Sequence, residues 1–285
     1  GRLWGAEMVM NAFVGPPVAG LLLAVSFALP FFVDAGTFAV AAALLLSVAG
    51  NFRPDGAGSR PALSFRAELR EGVGWLWNHR LLRSMAISLG VLNGLMTMTA
   101  AVQVLFAQEV LGLSAAGFGA LGISGAVGGV IGSATAARVS QRLGPGPSLF
   151  TTVLVIGLTD ILIGSFPSVP LVFSMFVLVS YVSVLWNVIT VALRQTLIPD
   201  HLLGRVNSVY RFFGWGMMPV GSVIGGLIVV VADTVASREA ALRLPFFIAA
   251  VGHLALFVYV VPRLNTERIE QAKSVNRSEP IVRDA

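Results

Sequence analysis

The chain has 285 residues, of which 56% are apolar and 12% are charged, against roughly 45–50% and about 25% in soluble domains. A mean hydropathy of +0.84 is too high for one soluble core, so lipid is expected to cover much of the surface. The net charge of +5 comes from loops between apolar segments, which indicates membrane topology and argues against nucleic-acid binding. The absence of cysteine excludes disulfides, thiolate metal sites and a cysteine nucleophile.

Apolar segments long enough to cross a bilayer recur along the whole chain. A transmembrane helix needs about 20 apolar residues, because an unpaired backbone amide in lipid is costly. Eight segments meet this requirement and predict an all-α membrane protein, a polytopic bundle of about eight transmembrane helices. In chain order they are 7–27, 30–50, 82–107, 114–137, 148–166, 170–193, 208–232 and 244–262.

The basic residues predict the orientation of these spans. Of the 19 Lys and Arg residues, only Arg238 and Arg243 fall on one side of the predicted membrane. Loops rich in Lys and Arg stay in the cytoplasm. We therefore expect a multi-pass protein of the plasma membrane, with both termini of the chain and the 51–81 loop in the cytoplasm.

The 51–81 loop ends in a segment with helical periodicity. Its apolar residues fall on one helical face, with charged residues elsewhere; they are Phe65, Leu69, Val73, Leu76 and Trp77. This pattern predicts an amphipathic helix that lies at the membrane surface or against the helix bundle.

Several segments resemble those of a known transporter family. Gly15-Pro16-Pro17-Val18-Ala19-Gly20 is similar to the Gly-Pro-x-x-Gly-Gly core in the fifth helix of major facilitator superfamily exporters. The segment 137–144, with Arg138, Arg142 and Gly144, resembles the family's Gly-x-x-x-Asp-Arg-x-Gly loop, although the acidic residue is absent. Residues 31–38, 69–79 and 197–208 resemble the enterobactin and macrolide efflux branch, at the start of helix six, the central loop and the entry to helix eleven.

This resemblance implies an architecture. The eight spans would be helices five to twelve of a twelve-helix protein, so the chain is expected to be a fragment that starts near helix five. Residues 1–50 would end the N-terminal half, 51–81 form the central cytoplasmic loop, and 82–262 form the six-helix C-terminal half. Residues 263–285 would be a cytoplasmic tail, disordered after a turn or two of helix.

The resemblance also implies a function. The protein would export a small amphipathic molecule (a drug, siderophore or metabolite) by alternating access, in exchange for protons. Its partners would be the lipid bilayer, the substrate and protons. It would have no enzymatic activity, cofactor or metal site.

Polar residues inside the spans are candidates for a substrate cavity, because each needs a partner away from lipid. The sixth span carries a polar stripe at spacings of 3 and 4 residues, formed by Ser180, Ser183, Asn187, Thr190 and Arg194. The third span carries a weaker band that includes Asn93, Thr97 and Gln103. Trp186 is a further candidate contact. Hydrogen bonding between helices is the structural alternative for all of them.

Asp160 is the one carboxylate near the middle of a predicted span. An acid at this depth is a candidate for proton coupling. A hydrogen bond that joins its helix to a neighbouring helix is the structural alternative.

Small residues in two other spans predict close helix packing. They are Gly122, Gly125, Gly129 and Gly132 in one span, with Gly221 and Gly225 in a later one.

Two further function classes stay open at this stage. An ATP-driven permease subunit would use a cytoplasmic helix such as 62–80 to dock an ATPase. A membrane-embedded enzyme would need His, Asp or Glu clustered at one depth. His79, His201 and His253 have no metal-ligand spacing, and the sequence has no nucleotide-binding or hydrolase motif.

Overall fold

The computed structural model describes residues 28–48 and 65–278, together with Leu22 and Ser26. The chain divides into two compact units, residues 1–64 and 65–285. The described residues form helices and the connections between them, and they contain no β-strand. The helices are α1 (Leu29–Ser47), α2 (Phe65–Asn78), α3 (Arg80–Ala100), α4 (Ala115–Leu143), α5 (Pro145–Ser165), α6 (Val169–Leu197), α7 (Asp200–Ala232), α8 (Arg238–Val260) and α9 (Thr266–Ser278).

Seven of the described helices are long and apolar enough to cross a membrane, which confirms a polytopic all-α bundle. They are α1 and α3–α8, and they match seven of the eight predicted spans. The predicted span 7–27 lies outside the described residues except for Leu22 and Ser26. The motif residues Gly15, Pro16 and Gly20 lie outside them as well.

In the first unit, α1 is the described element. It begins where Pro30 occupies the first helical turn, a position that tolerates proline because the early backbone amides have no partner inside the helix. Its 19 residues are almost entirely apolar.

The second unit is a bundle built on three closely packed helix pairs. Helix α3 packs against α7, α4 against α6, and α5 against α8. Glycines permit this contact: a Cβ on Gly221 of α7 would lie 1.9 Å from the Gly94 oxygen of α3. A Cβ on Gly128 of α4 would lie 2.1 Å from the Val177 oxygen of α6. Small residues thus bring helix backbones together in a medium where hydrophobic association is weak.

The amphipathic helix α2 packs against the bundle. Arg205 of α7 forms ion pairs with Glu68 at 2.9 Å and with Glu71 at 2.6 Å. Gly72 faces the Arg205 backbone, where an added Cβ would lie 3.1 Å from the carbonyl oxygen. Leu76 is buried at 1% exposure. Apolar contact and paired charges together hold α2 to α7.

At the other end of the bundle, α3 stops earlier than its predicted span. A turn at Gln103–Leu105 and a π-helical turn at Phe106–Val110 follow it. Arg238 there binds Glu109 at 2.8 Å and Asp233 at 3.3 Å. The ion pairs connect the start of α8 to the π-helical turn after α3 and to the end of α7.

The described part of the C-terminal segment forms a further helix. Helix α9 has 13 residues, more than the one or two turns expected after Arg263. Leu264 and Ile269 are fully buried, so apolar contacts secure α9 to the bundle.

Candidate functional site

A cavity of about 410 Å³ lies inside the second unit. Helices α3–α6, α8 and the turn after α3 contribute to its walls. Most of its lining is apolar or glycine, with five polar side chains among the lining residues: Thr99, Gln103, Ser124, Asp160 and Ser180. A few polar groups in an apolar cavity of this size are typical of sites for small amphipathic molecules.

Asp160 lies in the wall of this cavity and is joined to His253. The Asp160 Oδ2 atom lies 2.8 Å from His253 Nδ1, with Asp160 6% exposed and His253 fully buried. The contact joins α5 to α8, so the structural alternative for Asp160 is present. The His253 Nε2 atom is buried and has no hydrogen-bond partner among the described residues.

The polar stripe on α6 separates into different environments. Ser180 donates a hydrogen bond to the Gly125 oxygen of α4 at 2.7 Å and lines the cavity. Ser183 and Asn187 donate to carbonyls of α6 itself, and Asn187 remains exposed. Thr190 is buried and donates to the Trp186 carbonyl at 2.9 Å.

Trp186 lies in the hydrophobic core of the bundle. It is 3% exposed, and its indole N–H has no partner among the described residues. The cavity lining does not include it.

The polar band on α3 connects α3 to α7. Asn93 donates to the Gly214 oxygen at 2.9 Å, and Thr97 donates to the Met218 oxygen at 2.9 Å. Both residues therefore make the hydrogen bonds between helices that were the structural alternative. Gln103, beyond the end of α3, lines the cavity.

Arg194 belongs to a separate cluster between α6 and α7. Its guanidinium donates to Asn207 Oδ1 at 3.1 Å and lies 4.2 Å from the centre of the Tyr210 ring. Tyr210 is buried and donates to the Met85 oxygen at 3.5 Å. This cluster connects three helices and is distinct from the cavity around Asp160.

The loop motif between α4 and α5 forms a tight turn. Gly144 has φ of +87°, a conformation that favours glycine, and it ends α4 and begins α5. Arg138 and Arg142 are exposed.

Sequence reasoning did not assign His253 to Asp160, or Tyr210 to Arg194. A lone histidine within the apolar run 244–262 indicates a buried polar group that needs a partner. That partner, Asp160, lies 93 residues away in the chain and cannot be identified from the local sequence. Among the described residues, no group of three or more His, Cys, Asp or Glu side chains is arranged to hold a metal ion.

Comparison with known proteins gives a consistent result. The family model described as Major Facilitator Superfamily matches residues 3–218. The multidrug efflux pump Tap of Mycolicibacterium fortuitum is 28% identical over 90% of this chain and 62% of its own length. The Tap pump of Mycobacterium tuberculosis H37Rv is 28% identical over 79% of this chain and 54% of its own length. The enterobactin exporter EntS of Escherichia coli O1:K1 is 26% identical over 88% of this chain and 58% of its own length.

The chain therefore spans between 54% and 62% of the length of these curated relatives. No solved structure matches the chain.

Proposed function

Since this multi-pass membrane chain belongs to the major facilitator superfamily, we propose that it is part of a secondary transporter that exports a small amphipathic molecule across the plasma membrane. The cavity of about 410 Å³ inside the second unit is the observation that carries the proposal. Its relatives are named for the efflux of drugs and of enterobactin, which supports export as the direction of transport.

The cavity suits an amphipathic substrate because its few polar groups are close to large apolar ones. Gln103 offers both an amide donor and a carbonyl acceptor. Phe118, Phe176 and Phe246 contribute aromatic walls. Gln103 would orient a polar group of the substrate, while the aromatic rings bind its apolar part. The other predicted substrate-cavity residues lie outside the lining of this cavity and remain proposals for the substrate cavity of the whole transporter; they are Asn93, Thr97, Ser183, Trp186, Asn187, Thr190 and Arg194.

Asp160 is the proposed proton-coupling residue. It is the one carboxylate among the described residues of the cavity lining, and it contacts the titratable side chain of His253. A proton bound by the pair removes the charge of Asp160 from the cavity wall or places a second charge on His253. Either change alters the electrostatics that a substrate meets, which is the link that exchange with protons requires.

Efflux from cells that express the whole open reading frame tests the proposal. Cells are loaded with ethidium, an amphipathic dye, and energised with glucose, with or without a protonophore. The expected result is efflux that exceeds the empty vector and is abolished by the protonophore. Gln103→Ala should reduce efflux about tenfold, because a buried substrate group loses its hydrogen bond.

Gln108→Ala is the matched control, since Gln108 is exposed and lies outside the cavity lining. Asp160→Asn should stop gradient-driven efflux while dye exchange down its own gradient continues. If efflux by this variant keeps its sensitivity to the protonophore, Asp160 does not couple protons. If neither ethidium nor a panel of amphipathic dyes leaves the cells faster than in the vector control, the exporter proposal is wrong.

A further inference from the structure

A second cavity lies at the opposite end of the bundle from the Arg238 ion pairs, where α2 meets α3 and α8 leads into α9. It measures about 620 Å³ and is called the basic cleft here. Its lining residues are Asn78, His79, Arg80, Leu81, Arg83, Ser84, Arg263, Arg268, Gln271 and Ala272. Arg80 begins α3 and Arg263 follows the end of α8, so the cleft lies at the membrane surface on the side predicted to be cytoplasmic.

Four arginines line the basic cleft, and the described part of the chain places no neutralising acid beside them. Among the described residues, no carboxylate lies within 4 Å of their guanidinium groups, and the ion pairs of the bundle involve other cations. Arg83 donates to the Trp77 oxygen at 3.0 Å, and Arg263 donates to the Tyr259 oxygen at 3.1 Å. The Arg263 guanidinium also lies 4.1 Å from the centre of the Tyr259 ring. These contacts hold the two side chains in place, and no carboxylate among the described residues pairs with either charge.

Arg80 and Arg268 differ from this pair. Their guanidinium groups have no hydrogen bond or ion pair within the described part of the chain. At the opposite end of the bundle, Arg238 and Arg243 are both paired with carboxylates. Four guanidinium groups without a carboxylate partner among the described residues therefore line one cleft.

His79 adds a polar group but little charge to the basic cleft. Its Nδ1 atom accepts a hydrogen bond from the Leu82 amide at 3.3 Å, which requires that this nitrogen carry no proton. Burial lowers the pKa of His79 below its ordinary value of 6.5. The charge of the cleft thus comes from arginines, which do not titrate in the physiological range.

The geometry points to a phosphate group as the ligand of the basic cleft: we propose that it binds phosphate, either in an anionic phospholipid headgroup or in a soluble phosphate compound. Arginine guanidinium groups match phosphate oxygens in bidentate geometry. Basic pockets between transmembrane helices on the cytoplasmic side are suited to lipid headgroups. A bound phosphate would connect the start of α3 to α9 through shared hydrogen bonds.

Binding measurements on the whole gene product test this proposal. Native mass spectrometry of the detergent-solubilised protein is used to titrate phosphatidylglycerol, with phosphatidylcholine as the neutral lipid. A parallel thermal-shift titration uses inorganic phosphate. We expect the double variant Arg80→Gln/Arg268→Gln to bind the phosphate ligand about 25-fold more weakly, since each basic residue contributes about fivefold near an anionic group.

The control variant is Arg138→Gln/Arg142→Gln, which removes the same charge from exposed positions outside the cleft. The test variant should fold, because neither guanidinium group has a partner among the described residues. An unchanged melting temperature without ligand checks this. If the test variant, but not the control variant, loses binding of phosphatidylglycerol, the ligand is a lipid headgroup. If the test variant, but not the control variant, loses binding of inorganic phosphate, the ligand is a soluble phosphate compound. Equal binding by both variants, or no binding by wild type, overturns the proposal.

Discussion

The crossing of α3 and α7 depends on Gly221, and its replacement by alanine should have a measurable cost. The new Cβ would lie 1.9 Å from the Gly94 oxygen, whereas ordinary contact begins at 3.4 Å. The two groups must therefore separate by about 1.5 Å, the difference between these distances. The obstructing atom is a backbone carbonyl, which cannot rotate away as a flexible side chain can. The helices themselves must move apart.

This movement would disturb more than one contact. Thr97 donates to the Met218 oxygen and Asn93 to the Gly214 oxygen across the same interface. Overpacking of a well-packed interior typically costs about 1–3 kcal/mol. For a protein of this size, such a loss lowers the melting temperature by about 2–12 °C.

Gly226→Ala is the matched control in the same helix. A Cβ at Gly226 meets nothing within 4 Å, and alanine is favoured over glycine in a helix by about 1 kcal/mol. Melting curves of both variants in detergent, followed by size-exclusion chromatography, should show Gly221→Ala below wild type and Gly226→Ala at or above it. Equal melting temperatures for the two variants would refute the close crossing of α3 and α7.

Three further predictions concern paired polar side chains. His253→Ala should destabilise the protein by about 1–3 kcal/mol, because the buried Asp160 side chain loses its hydrogen-bond partner. Adding Asp160→Asn should restore part of that loss, and additive losses in melting temperature would contradict the pairing. The hydrogen bond from Arg238 lowers the pKa of Glu109 below its ordinary value of 4.5. The ion pair should therefore stabilise the folded protein fully above about pH 4.5. This stabilisation should be lost as the pH falls through the lower pKa that Glu109 has in the folded state. Glu109→Gln should therefore melt with a weaker dependence on acidic pH than wild type, and an unchanged pH profile would argue against the ion pair. Arg205→Gln should speed amide hydrogen exchange in α2 several-fold, since partly exposed ion pairs contribute about 1 kcal/mol or less; unchanged exchange would show that apolar contacts alone hold α2.

Membrane spans could be predicted from the sequence because the signal is local. An apolar run such as 170–193 is long enough to cross the bilayer as a helix, and a helix satisfies all of its backbone hydrogen bonds within the one segment. The boundaries of the spans are not local in this way: the apolar pattern predicts Gln103 inside a span, whereas α3 ends at Ala100. The turn after α3 forms where Glu109 pairs with Arg238, a contact between distant parts of the chain.

Partners of the site residues could not be predicted because they depend on which helix faces which. The polar residue Asn93 was recognisable, but its acceptor on Gly214 lies 121 residues away. The glycine-rich face of α4 shows the same limit. Glycines occur around much of that helix, and the contact with α6 passes through Gly128 and Gly132, whereas an added Cβ on Gly125 meets nothing within 4 Å. Without the neighbouring helix, the sequence offers no basis for choosing one face.

The attachment of α2 to α7 has a practical consequence for dividing this protein. Glu68 and Glu71 supply the carboxylates that Arg205 binds, and the second compact unit begins at Phe65. A truncated protein that starts at Phe65 keeps both acids. One that starts at Leu82, where the apolar run begins, leaves Arg205 without these carboxylates and exposes the surface that Leu76 covers. Hydropathy marks where the lipid-facing chain starts, but the C-terminal unit begins one helix earlier.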